Sequence, residues 1–473
     1  MTFIRSAMRN GTDAAVQTAP NRPWYPSVDP FEHYDSGRTH RYEGATFGGS
    51  LEVGAQNRVR VQKADCFTPT PYNLVVREDN ELFIYGGGYG DGEGAFGSLV
   101  AKLGGKNLSV QWWQQMSLTR GTHQWDYPGV VAVHQNGFVY VIYTNQLSKL
   151  DPETGEVLGT ALLPALSAPE NTGFNGFAAL PDGTIIAKNV SRHSGCDEQG
   201  FMAFTSCQDA SDVPPTMLVT IDPESLTIID SLQGPEPSSG RISTTRYKGI
   251  DYVYLVGFEK IYRYIAVHGK LSMDETWKPV QYLRGDQSPA SAIAVMNDYV
   301  VFNSNCVPTT GPLTVWAISQ DDSDKQFRIQ PFDHKHGQDS FFTAMVAVDP
   351  ENDRIYAMNT GTSEIAALSL GPDGFSLDWM EQQTSFSFMS LVGSSERRVL
   401  VASDIPSIQG GHYKQPYATE QVVWREAESG RELARSQRLP KMNQGAVLSP
   451  GPGGAIYYPT ADGQVIKLWV ESF

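Results

Sequence analysis

One pattern recurs along this chain and limits its fold more than any other feature. A short apolar strand runs into a polar turn, and a second strand rich in Val, Ile, Tyr and Phe follows. Clear copies span residues 73–85, 130–142 and 176–186, turning at Asn80, Asn136 and Asp182. Variant copies turn at Gly249, Asn297, Asn352, Ser395 and Gly453. The mean spacing of these eight turns is roughly 53 residues, which suits a four-stranded unit. A second pattern marks where the third and fourth strands of a unit meet. Residues 149–157 and 220–228 both carry Asp-Pro-Glu, and 425–433 is a degenerate copy. Asp-Pro presets a turn, and the β-rich flanks return antiparallel.

Eight such units predict an all-β chain folded as a single eight-bladed β-propeller, with seven blades as the alternative. The chain ends within a blade, at the strands 455–458 and 464–470. The missing fourth strand is expected from the N-terminal side, at 50–53 or 58–61. Closing the ring this way leaves no free sheet edge. The expected organisation is an arm over 1–45, extended on the propeller, and the propeller over 46–473.

Composition narrows the function. Hydrophobic residues make up 40% and charged residues 19%, so the chain can bury a large core. The net charge of −16 repels phosphate backbones and argues against a nucleic-acid partner. No run of 18 apolar residues predicts a membrane span, and the N-terminus lacks the apolar core of a signal peptide. The expectation is a cytoplasmic monomer. The four cysteines, Cys66, Cys196, Cys207 and Cys306, form no Cys-x-x-Cys pattern. Cys196 and Cys207 are close enough in sequence to pair if the chain is exported.

The Pro-Asp-Gly and Asp-Pro-Glu turns resemble those of two propeller groups, the pyrroloquinoline-quinone-like and the gluconolactonase/strictosidine-synthase-like. The likeness covers about residues 50–473, at the level of the repeat. Residues 174–183, Phe-Asn-Gly-Phe-Ala-Ala-Leu-Pro-Asp-Gly, resemble a strand start of gluconolactonase-like enzymes. There the Asn helps hold a divalent metal, which makes Asn175 the matching ligand here. The adjacent-cysteine disulfide of the quinoproteins has no counterpart in this sequence.

In a propeller, the loops leading into each first strand, and those joining second to third strands, gather at one end of the central channel. Five of the nine histidines fall in such loops: His123, His193, His334, His336 and His412. Two chemistries follow. Asp333-His-Lys-His336 presents two imidazoles on one side if extended, so His334 and His336 are candidate ligands for Zn, Mn or Fe, and a divalent metal ion (Ca, Mn, Zn or Fe) is the expected cofactor. Alternatively His123, His193 and His336 act as acid–base groups, with Tyr72 and Arg241 stabilising charge. Trp125, Asp126, Tyr127, Phe174, Phe341 and His412 are the expected substrate wall. The Gly-rich run 86–94 lacks the Gly-Lys-Ser/Thr ending of a phosphate loop, so no nucleotide is expected. No Gly-x-Ser-x-Gly or His-Glu-x-x-His occurs. The expectation is a hydrolase or lyase acting on a small sugar-acid, lactone or aromatic molecule. The rival is a non-catalytic propeller that binds a protein or ligand.

Overall fold

The computed structural model of the chain describes residues 23–64, 71–87, 97–117, 125, 129–198, 203, 213–283, 287–304, 312–333, 345–408, 417–443 and 445–472. Eight antiparallel sheets form an eight-bladed propeller that is nearly all β. Each predicted turn joins the first and second strands of its own blade. In blade 1, for example, Asn73–Val76 pairs with Glu81–Gly86 across Asn80. The innermost strands are only three to five residues long. Most are buried throughout, with no in–out alternation, because neighbouring blades cover both of their faces. Polar and exposed residues appear on the outer strands, such as Val110–Gln115 and Val157–Leu162. Apolar clusters run continuously from blade to blade, the largest spanning blades 1 to 3.

The ring closes as expected. Asn57–Lys63 becomes the outer strand of blade 8, pairing with Val465–Ser472 from Asn57↔Ser472 to Lys63↔Ile466. Of the two candidate closing segments, 58–61 is the one used.

The segment before this strand does something the sequence did not suggest. Residues 24–45 enter the channel, and Phe31, Glu32, His33, Arg38, His40 and Tyr42 are fully buried. The backbone carbonyls of Asp29, Pro30, Ser36, Gly37, Thr39 and His40 accept the N–H groups of Val76, Val133, Thr244, Val295, Val348 and Leu391. Ala179 donates to the Ser36 hydroxyl instead. All seven donors lie in the innermost strands of blades 1 to 7, so the segment joins these blades at the axis. Trp24 stacks on Phe31 with centroids 4.1 Å apart, and both rings meet Phe177 of blade 3 edge-on. His33, Tyr34, Arg38 and His40 all have positive φ. Such backbone costs energy in non-glycine residues and persists only where its surroundings enforce it.

Candidate functional site

The inserted segment brings a polar cluster to the axis. Glu32 is its centre. Arg241, just ahead of the first strand of blade 4, donates from Nε to both Glu32 oxygens at 3.0 and 2.9 Å. Tyr72, just ahead of blade 1, donates its hydroxyl to Oε1 at 2.9 Å and also meets the Arg241 Nη2. Arg38 reaches Oε2 from Nη1 at 3.1 Å, while its Nε and Nη2 donate to the carbonyls of Ile242 and Phe177. Gly176 lines this cluster: a Cβ there would stand in ordinary contact, 3.7 Å from the Glu32 carboxylate and 3.8 Å from the side chains of Arg241 and Arg38. Arg241 therefore grips a carboxylate through two nitrogens, and that carboxylate belongs to the chain itself.

Two further residues hold the turn that carries Arg241. Lys188, the last residue of the strand Ile185–Lys188, donates to the Ser238 carbonyl at 3.3 Å. Asn175 donates to the Ser239 carbonyl at 3.0 Å, and its buried Oδ1 has no hydrogen-bond partner. Both side chains are fully buried. Burial, reinforced by the charges of Arg241 and Arg38, holds the Lys188 amine well below the ordinary lysine range. Arg38 is lowered to about 10, also by burial, and stays charged at neutral pH. The rings of His33 and His40 lie 4.5 Å apart, tilted by 35°, beside Phe388. His40 donates from Nδ1 to the Met389 carbonyl, and burial lowers its pKa to about 4. Burial also lowers His33, helped by His40 and the two arginines. Neither ring nitrogen of His33 has a hydrogen-bond partner. The two guanidinium groups meet at the Glu32 carboxylate, with Lys188 and both imidazoles, their pKa values lowered by burial, beside them.

The sequence-selected residues divide three ways. Tyr72, Arg241, Asn175 and Phe174 come together near the axis. Trp125 is buried with Val190, Cys196 and Ala203, so it packs against the segment following Lys188. His193 sits half-buried in that segment, its carbonyl accepting the Cys196 N–H. Cys196 is disulfide-bonded; Cys207, the partner suggested by the sequence, lies outside the described residues. So do His123, Asp126, Tyr127, His334, His336, Phe341 and His412. Sequence reasoning missed Glu32, His33, Arg38, His40 and Lys188. The first four lie in the segment read as an external arm, where nothing repeats. Lys188 is the only charge in an otherwise apolar strand, and that signal is visible in the sequence.

A metal does not fit these residues. Among the described residues no group of three or more His, Cys, Asp or Glu is arranged to hold one. Glu32, the cluster's carboxylate, is already held by two arginines. A cavity of about 490 Å³ lies at the opposite end of the channel, bounded by Trp24, Tyr34, Gly37, Arg41, Thr244 and Val295. There the inserted segment and the first-strand turns form the wall, away from Lys188. Among the described residues no helix is long and apolar enough to cross a membrane.

No protein-family profile matches the chain, and no curated protein matches it in sequence. Solved structures match it in shape. Quinohemoprotein alcohol dehydrogenase from Comamonas testosteroni aligns with a TM-score of 0.60 at 10% identity, covering 96% of this chain and 81% of that one. A quinohemoprotein alcohol dehydrogenase from Pseudomonas putida aligns at 0.56 and 10% identity, covering 93% and 80%. The Chaetomium thermophilum protein Sqt1, bound to the N-terminus of a ribosomal protein, aligns at 0.54 and 12% identity, covering 87% and 99%. At such identities the likeness is one of fold. It bears out the quinoprotein-like side of the resemblance read from the turns, not the gluconolactonase-like side. The metal role of Asn175 rested on the latter.

Proposed function

We propose that the protein is an enzyme acting on a small organic anion at the loop-bearing end of its channel. The observation that carries this reading is the gathering of three buried residues of cationic type, Lys188, Arg38 and Arg241, at the axis. Guanidinium groups held in a fixed geometry favour an anionic ligand beside them. Hydrolase or lyase chemistry draws no support from the structural neighbours, whose names describe dehydrogenases. The haem of those neighbours has no attachment motif here, since no Cys-x-x-Cys-His occurs. The disulfide at Cys196 favours an oxidising compartment over the cytoplasm.

A second reading, a non-catalytic scaffold, is favoured by one fact: Tyr72 and Arg241 are already engaged by the chain's own Glu32. Thermal unfolding with small carboxylates, inorganic phosphate and neutral sugars separates the two. The enzyme reading expects a saturable rise in Tm with carboxylates that shrinks with added salt. No rise with any anion would leave the scaffold.

A further inference from the structure

The cavity at the end of the channel opposite Lys188 has a volume of about 490 Å³, within the range of sites that hold small organic ligands. Buried Trp24, Tyr34 and Ser36 line it beside the partly exposed Tyr25 and Thr245 and the exposed Arg246, so it runs from the interior to the surface. Asp35 also lines it. Its two oxygens accept the Thr39 N–H at 3.1 Å and the Thr39 hydroxyl at 2.9 Å, which fixes the plane of the carboxylate and leaves lone pairs unused. Among the described residues no cation forms an ion pair with Asp35, and the two arginines of the same lining are held by other carboxylates. Arg41 meets Glu43 at 2.6 Å and Glu351 at 2.8 Å, and Arg246 meets both oxygens of Asp251 at 2.6 and 2.8 Å. Burial raises the Asp35 carboxyl above the ordinary aspartate value, against the pull of the Thr39 hydrogen bonds and the more distant Arg41 charge. An Asn would cap Thr39 equally well and would carry no charge to desolvate.

We propose that this cavity binds a small organic amine, with its ammonium group on Asp35 and its apolar body against Trp24, Tyr25 and Tyr34. The ammonium donates to the unused lone pairs of a carboxylate that Thr39 already holds in place, and its charge offsets the cost of keeping that carboxylate ionised away from water. Aromatic rings pack the hydrocarbon of such a ligand and also attract its charge. The net charge of −16 draws cations towards the chain and repels anions. This site lies apart from the axial cluster around Glu32, and it stands whether or not an anion binds there.

The test is calorimetric titration of the full chain with three probes that share one ring: phenethylamine, phenethyl alcohol and phenylacetate. The expected result is saturable binding of one phenethylamine per chain, at least about tenfold tighter than the alcohol and weakened by added salt, with no binding of phenylacetate. Asp35→Asn keeps the Thr39 cap and should bring the amine down to the affinity of the alcohol, leave the alcohol unchanged, and keep or raise Tm. Should that variant not fold, Thr245→Arg replaces it: a cation on the partly exposed wall of the cavity should abolish amine binding. Equal affinities for amine and alcohol overturn the role of Asp35 and leave an apolar cavity. Amine binding that survives both substitutions places the amine elsewhere on the acidic surface and overturns the site, as does the absence of binding by any probe.

Discussion

The blades and the axial segment are held together by different physics. A blade is local. Its strands pair with sequence neighbours, its turns are Asp-Pro-Glu or Gly-containing, and its faces bury Val, Ile and aromatics against the next blade. Residues 24–45 pair with no strand as a ladder. They touch seven blades through isolated hydrogen bonds, carry four non-glycine residues with positive φ, and bury charge alongside aromatic rings. Weak, repeated contacts make a ring that tolerates the loss of one. A single buried charge network does not, because each partner's loss strands the others.

The largest expected effect follows from that contrast. Glu32→Gln leaves two buried guanidinium groups without their carboxylate, and should lower the unfolding free energy by about 3–5 kcal/mol. Glu153→Gln removes a carboxylate that also meets two cations, Lys102 and Arg77, but on the ring's exterior. Its carboxylate is 63% exposed, so the loss should be below about 1 kcal/mol. Urea unfolding of both variants measures the difference. Equal losses would show that the axial cluster is no more critical than the rim.

Acid should find the axial segment before it finds the blades. His40 titrates at about 4 when folded, against an ordinary histidine value of 6.5, so the unfolded chain binds more protons between those values. Stability is therefore lost as pH falls from 6.5 towards 4, by about 3 kcal/mol from this residue. Glu420 acts in the opposite sense. Buried between blades 7 and 8, its carboxyl is raised to about 7 from 4.5. Its contribution is fully present below 4.5 and is lost as pH rises through 7, again by about 3 kcal/mol. His40→Gln should flatten the acid limb of stability against pH, and Glu420→Gln the neutral limb. Difference curves between each variant and the native chain isolate these terms from Asp29 and Asp35, which burial also raises. A variant that leaves its limb unchanged would show that its group does not titrate as described.

The same contrast explains what could be read from the sequence. All eight first turns and three outer turns were legible because they repeat and local turn chemistry sets them, while the closing strand was narrowed to two segments by the blade left incomplete. Glu32 and Arg38 were not, since they meet Arg241 and Ile242 more than 200 residues away. Arg241 stood out in the sequence as a group to stabilise charge, and the carboxylate it meets is the chain's own. That its carboxylate was Glu32 depended on where a non-repeating segment goes, and no periodicity encodes that. The channel-end histidines mostly lie outside the described residues, while the two read as belonging to the arm, His33 and His40, are the ones at the axis.

The smallest expected effect tests whether the blades are as interchangeable as they look. Gly155, φ +74°, sits in the outer turn of blade 2, and a Cβ there would lie 2.6 Å from the ring of Trp112 of blade 1. Trp112 also donates to the Pro152 carbonyl of that turn. Blade 7 repeats the device: Gly430 lies against Trp379 of blade 6, whose Nε1 donates to the Ala427 carbonyl. In blade 3 the turn residue is Leu226, φ +58°. The position matching Trp112 and Trp379 on the preceding blade is Gly159, each opposite the residue before a β-bulge. A Cβ on Gly159 would meet Leu226 at 2.9 Å, so the large and small partners have changed sides. Leu226→Gly relieves the backbone but opens a gap, and Gly159→Trp overfills it. The double variant recreates the Trp–Gly pair of the other two interfaces. Its stability should exceed the sum of the single effects by about 1 kcal/mol in a double-mutant cycle. Strict additivity would mean that each blade interface is packed on its own terms, and that the repeat ends at the backbone.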